Sequence, residues 1–155
     1  MNEEPKQYFA ALHARRHSAL PMRHRDVSAP GWSPQRNKCH NNVDFWVKLN
    51  PRLRPVRGWM IVSEDASGHC LYEAHSIIED NGELYDISIP GLTCQVIRFL
   101  RHSGSEEDFR AILKLNLNQV PYPQRTVEEF LADSATVVTT EDCEYDPINE
   151  LESSF

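Results

Sequence analysis

The most reactive groups in this chain are four cysteines and seven histidines. A thiol enzyme needs a sulfur whose anion is favoured, an imidazole to carry the proton, and a third group to orient that imidazole. Cys39, His75 and Asp86 follow one another in that order. Lys38 stands directly before the cysteine and brings positive charge. The other cysteines, Cys70, Cys94 and Cys143, show no CxxC spacing and no framework pattern, so the thiols are expected to be reduced.

The elements that must position these groups can be read from the pattern. A helix is predicted over residues 38–50, with Asn37 as its N-cap and Pro51 as its stop. Cys39 then lies in the first turn, where backbone N–H groups and the helix dipole favour a thiolate. It shares one face with Val43, Trp46 and Val47. Three strand-like runs follow, over residues 56–64, 70–80 and 83–89. The first two are separated by an Asp65-to-Gly68 turn and the last two by Asn81-Gly82, a strong two-residue hairpin signal. A two-residue turn pairs Asp80 with Glu83, so Ile78 faces Tyr85 and Ile77 faces Asp86. His75 and Asp86 therefore lie diagonally on one face, with Cβ atoms about 6–8 Å apart. A slip of one residue would put them on opposite faces.

Elsewhere, residues 4–16 are predicted to form a helix presenting Tyr8, Ala11, Leu12 and Arg15. Residues 17–37, with Pro21, Pro30, Gly31 and Pro34, read as a long loop or arm. A fourth strand is expected over residues 93–101. Short helices are expected over 105–115 and 126–135, capped by Ser105 and Thr126. The fold class that follows is α+β: a small antiparallel sheet of about four strands packed against the helix that carries Cys39 at its start. The chain divides into an N-terminal helix and basic arm (1–36), an α+β core (37–135) and an acidic tail (136–155).

Composition sets limits on this reading. A 40% hydrophobic and 25% charged chain of 155 residues can build one real core, which excludes a disordered class. No apolar run has the length of a membrane span, and the N-terminus lacks the apolar stretch of a secretory signal. No membrane partner and a cytoplasmic setting are therefore expected. Residues 1–60 hold eleven basic and four acidic side chains, and the remainder five basic and nineteen acidic. The basic side chains are scattered and no aromatic platform interleaves them, so nucleic acid is not expected as a partner. No glycine-rich phosphate loop is present, and no cofactor is expected.

Cys39 at a helix start, Arg57-Gly58-Trp59 on the next strand, then His75 and Asp86 on successive strands resembles the core of the transglutaminase-like superfamily, itself related to papain-like cysteine proteases. The resemblance covers residues 37–89. It implies that Cys39 is nucleophile, His75 general base and Asp86 orienting acid. The activity it implies is acyl transfer from protein or peptide amides: transamidation, deamidation or proteolysis. Ser76-Ile77 follow the histidine where the family commonly carries an aromatic residue. Substrate contacts are expected from Trp59, lining the groove, and from Gln35, Asn37 and His40, which flank the nucleophile.

Other roles compete for the same residues. Cys39 is also suited to a buried core thiol, His75 to a core histidine, and Asp86 to capping the turn before Pro90. One alternative is a non-catalytic binding or regulatory module on a degenerate core. Another is a zinc site drawn from Cys39, His40, His69, Cys70 and His75, which have suitable ligand types but not metal-binding spacing. No metal is expected at the Cys39–His75–Asp86 site.

Overall fold

The computed structural model describes residues 3–90 and 97–123. The expected helix 126–135, the acidic tail, Cys94, Cys143 and the start of the fourth expected strand lie outside these residues. The elements are α1 (Glu3–Ala14), a 3-10 turn (Arg16–Ser18), β1 (Leu20–His24), α2 (Cys39–Leu49), β2 (Arg54–Glu64), β3 (Cys70–Asp80), β4 (Glu83–Asp86), β5 (Ile97–Arg101), α3 (Glu106–Leu113) and β6 (Gln119–Tyr122).

The small four-stranded antiparallel sheet is not what forms. Five strands close into a mixed barrel, β2-β5-β1-β4-β3 and back to β2, and β6 adds to the outer part of β3. The difference rests on β1, which lies in the segment expected to be a loop. Leu20, Pro21 and Met22 pair antiparallel with β5, while Arg23 and His24 pair parallel with β4. Pro21 lacks an N–H, but it lies in the half of β1 that pairs with β5 alone, so no bond to β4 is lost. Closure removes two sheet edges that a four-stranded arrangement would leave open.

Alternation along the strands sorts side chains to two sides. Met22, Val56, Met60, Val62, Leu71, Ile77, Ile97 and Phe99 fill the barrel, with Leu84 beside them, so every barrel strand contributes. Trp59, Ile61, Cys70, Tyr72 and Leu100 face outward and pack against Phe9 and Leu12 of α1 and Phe109 and Leu113 of α3. The buried stripe of α1 contains Phe9 rather than the expected Ala11, which is exposed, because the phenyl ring removes far more apolar area from water. On the third side, Val43, Trp46 and Val47 of α2 cover Ile78, Tyr85 and Ile87.

Two polar devices fix the helices. Ser105 caps α3 in the expected place: its Oγ accepts from Asp108 N at 3.1 Å, and Asp108 Oδ2 accepts from Ser105 N at 3.2 Å. Arg57, on the outer face of β2, donates to Asp44 on α2 and to Glu106 on α3, at 2.8 Å for the latter. One buried guanidinium thus ties both helices to the barrel wall. Among the described residues, no helix is long and apolar enough to cross a membrane.

Candidate active site

The β3–β4 hairpin carries two of the three groups. Asn81 and Gly82 have φ of 50° and 84°, the two positive values of a type I′ turn. The register is Asp80 to Glu83, Glu79 to Leu84 and Ile78 to Tyr85, as the turn predicts. Both His75 and Asp86 consequently face the barrel interior. His75 Nε2 lies 2.6 Å from Asp86 Oδ1, with both side chains fully buried.

Cys39 is the first residue of α2 and is also fully buried. The N-cap is Lys38, without a side-chain capping bond, rather than the expected Asn37. Asn37 instead has φ of 60°, a left-handed conformation that asparagine tolerates, and turns the chain into the helix. Cys39 hydrogen-bonds to His75. Asp86 occupies Nε2, which leaves Nδ1 as the ring nitrogen suited to the sulfur. Burial is the largest influence on His75 and works against its protonation. The charges and hydrogen bonds of Cys39 and Asp86 outweigh it and raise the imidazole to about 10. The direction corresponds to an imidazolium held between two anions.

Asp86 has further partners. Its Oδ2 accepts from Ser88 N at 3.1 Å and from Ile89 N at 2.6 Å, so it also caps the turn before Pro90. The capping role and the His75-orienting geometry coexist, one on each oxygen. Oδ2 additionally meets His24 Nδ1 at 2.8 Å, and His24 Nε2 meets Asp26 Oδ1 at 2.8 Å. Burial alone would raise the Asp86 carboxyl. The hydrogen bonds from His24 and His75 more than offset it and hold Asp86 down at about 2. His24 is raised from its ordinary value, first by its hydrogen bond to Asp86, against the lowering effect of burial.

From sequence alone His24 has no role, because its strand reads as loop. The available signal was the alternation of Leu20, Met22 and His24, which puts His24 on the side of the buried Met22. Asn42 was also missed. Its side chain accepts from Gln35 N at 2.9 Å and donates to Gln35 O at 2.8 Å and to Ser88 Oγ at 3.0 Å. It fastens the segment before Cys39 to α2 and to the chain after Asp86. Beside this clamp is a cavity of about 360 Å³ lined by His24, Ser28, Ser33, Arg36 and Ser88, among others.

The expected substrate-contacting residues are not gathered around the sulfur. Trp59 is buried on the opposite side of the barrel wall, with Nε1 donating to Tyr8 Oη at 2.8 Å. It is part of the core beneath α1 and α3, not a groove lining. His40 points away from Cys39 and meets Ser76 Oγ at 2.5 Å on the outer face. Gln35 and Asn37 are exposed in the entry segment of α2, Gln35 being held through its backbone. Of the residues considered for zinc, Cys70 faces outward and His69 lies in the turn against Asp65, on the opposite side from the inward-facing His75. Among the described residues, no group of three or more His, Cys, Asp or Glu side chains is arranged to hold a metal ion.

Comparisons with protein-family models, with curated proteins and with solved structures gave no match to this chain.

Proposed function

We propose that the chain performs thiol-dependent acyl transfer or amide hydrolysis, with Cys39 as nucleophile, His75 as proton carrier and Asp86 as orienting acid. The observation that carries this reading is the connected arrangement of the three: a sulfur at a helix start, bonded to an imidazole whose far nitrogen is 2.6 Å from a buried carboxylate. In such a cycle the thiolate attacks an amide carbonyl carbon and forms the S–C bond. The carbonyl oxygen takes the negative charge, and the Cys39 backbone N–H at the helix start is suited to meet it. Collapse breaks the C–N bond as His75 delivers its proton to the departing nitrogen. Water or an amine then loses a proton to His75 and attacks the thioester, which releases the acyl group and restores the thiolate. A protein or peptide amide is the proposed substrate.

Complete burial of Cys39 favours a second reading, a non-catalytic module in which the triad is a buried polar connection. Under the catalytic reading the sulfur must become accessible through an opening motion, and the segment held by Asn42 is the nearest candidate for it. Reaction with an activated ester separates the two readings. The catalytic reading expects an acyl adduct on the Cys39 peptide, seen by mass spectrometry, that forms at least tenfold more slowly in His75→Ala. Cys70, whose thiol is pushed up to about 11 chiefly by burial, should stay unmodified near neutral pH. Acylation of Cys70 but not Cys39 would sink the catalytic reading and favour the module.

A further inference from the structure

We propose that His24 is a fourth member of the site: a cation clamped between Asp86 and Asp26 that offsets the buried carboxylate and sets the pH at which the Cys39–His75 ion pair forms. The inference deepens the thiol reading above and rests on it.

A neutral imidazole has one N–H and one bare nitrogen, so it can donate to only one carboxylate. Both nitrogens of His24 face carboxylate oxygens at 2.8 Å, Asp86 Oδ2 at Nδ1 and Asp26 Oδ1 at Nε2. Only the doubly protonated ring donates to both. The His24 side chain is nearly covered, at 5% exposure, whereas that of Asp26 is 96% exposed. The sequence Cys39, His75, Asp86, His24, Asp26 therefore runs from a buried sulfur to solvent through alternating charges. Without His24, the ionised triad would be a net anion inside an apolar barrel.

Among the described residues, the side chains hydrogen-bonded to the Asp86 carboxylate are His24 and His75. Arg25, next in the chain after His24, turns to Glu83 at 3.1 Å and lies 4.0 Å over the Tyr85 ring. Arg36 lines the cavity that His24 also lines. Arg23 precedes it and is exposed. His75 stands across Asp86 as the second cation on that carboxylate. From β5, the nearest charged side chains, Arg98 and Arg101, are engaged with Glu64 and Glu79.

The consequence has a definite sign. Removing a cation raises the proton affinity of every ionisable group near it. Loss of the His24 charge should therefore move both ionisations of the Cys39–His75 pair to higher pH. A residue that only held Asp86 in place would change how much thiolate forms but would not displace both steps upward.

The experiment follows thiolate by its ultraviolet absorbance against pH, with Cys39→Ala subtracted, so that neither access to the sulfur nor turnover is needed. In His24→Asn, which keeps a donor close to the Nδ1 position but no charge, both steps should move up by about one pH unit, a roughly tenfold change in thiolate on the rising limb. His24→Lys, which restores a cation, should return the profile most of the way. Histidine NMR on the unaltered chain gives a check without substitution: His24 should bind its second proton more tightly than an ordinary histidine. A profile unchanged in His24→Asn, or a neutral His24 ring at pH 6 by NMR, overturns this inference and leaves the triad intact. A parent chain whose Cys39 ionises only in the ordinary thiol range overturns the thiol reading as well.

Discussion

At the scale of single residues, the site is a matter of where charge can be stored out of water. An isolated carboxylate in a barrel interior would take up a proton, but Asp86 is surrounded by two imidazoles and two backbone N–H groups. Its replacement should thus cost more than a lost hydrogen bond. Asp86→Asn leaves two histidine cations without their common anion, and we expect about 3–5 kcal/mol of destabilisation in urea unfolding. A loss under about 1 kcal/mol would mean that the histidines are neutral in the folded chain. The Asp86 side of this arrangement was legible from the sequence because a two-residue Asn-Gly turn leaves one register, and the register decides the face. The His24 side was not, since it depends on a strand partner more than sixty residues away. The alternation of Met22 and His24 gives the facing, but nothing in Arg23-His24-Arg25-Asp26 says that a carboxylate and a strand partner meet it there.

At the scale of elements, the strands differ in how openly they declare themselves. β3 runs over residues 70–80 as expected, and β2 begins two residues earlier than expected, because long β-branched and aromatic runs leave little choice. The short β1 and β6 each contain a proline, Pro21 and Pro121; from sequence the first reads as part of a loop or arm and the second is assigned to no element. Their pairing comes from the barrel rather than from their own propensity. That is why the site's helix and hairpin could be anticipated while the sheet's closure could not. Closure leaves its own mark at Gly58, the cross-strand partner of His75 and of Arg101. A Cβ added there would lie 2.1 Å from Leu100 O and 2.6 Å from the Phe99 ring. The contact with backbone cannot be relieved by a rotamer change, so β2 and β5 would have to separate. We expect Gly58→Ala to destabilise the chain by about 2–3 kcal/mol. We also expect it to slow acylation of Cys39, since His75 stands on the same strand pair. Thermal unfolding and adduct formation measure the two effects, and a variant as stable as the parent would show that the barrel is not tightly closed at this point.

At the scale of the whole molecule, the ion relay ties stability to pH with opposite signs at its two ends. Asp86 has a folded-state value of about 2 against an ordinary 3.8, so its contribution is present above the ordinary value and is lost as pH falls through about 2. His75 has a folded-state value of about 10 against an ordinary 6.5, so its contribution is complete below 6.5 and is lost as pH rises toward 10. Both hold in full between about pH 4 and 6.5. Melting temperature should be highest there and fall on each side, and His75→Gln should flatten the alkaline fall. A maximum above pH 8 in the parent would contradict the buried ion pair. The barrel has one further consequence, for the chain as it is made. His24 and Cys39 leave the ribosome early, His75 and Asp86 later, and β5, which closes the ring between β1 and β2, later still. Until that strand is in place the imidazole and carboxylate have no dry enclosure, and Cys39 is an ordinary thiol. If Cys39 acts as proposed, a nascent or misfolded copy carries no activated sulfur, because the enclosure that holds its ion pair needs the closed ring.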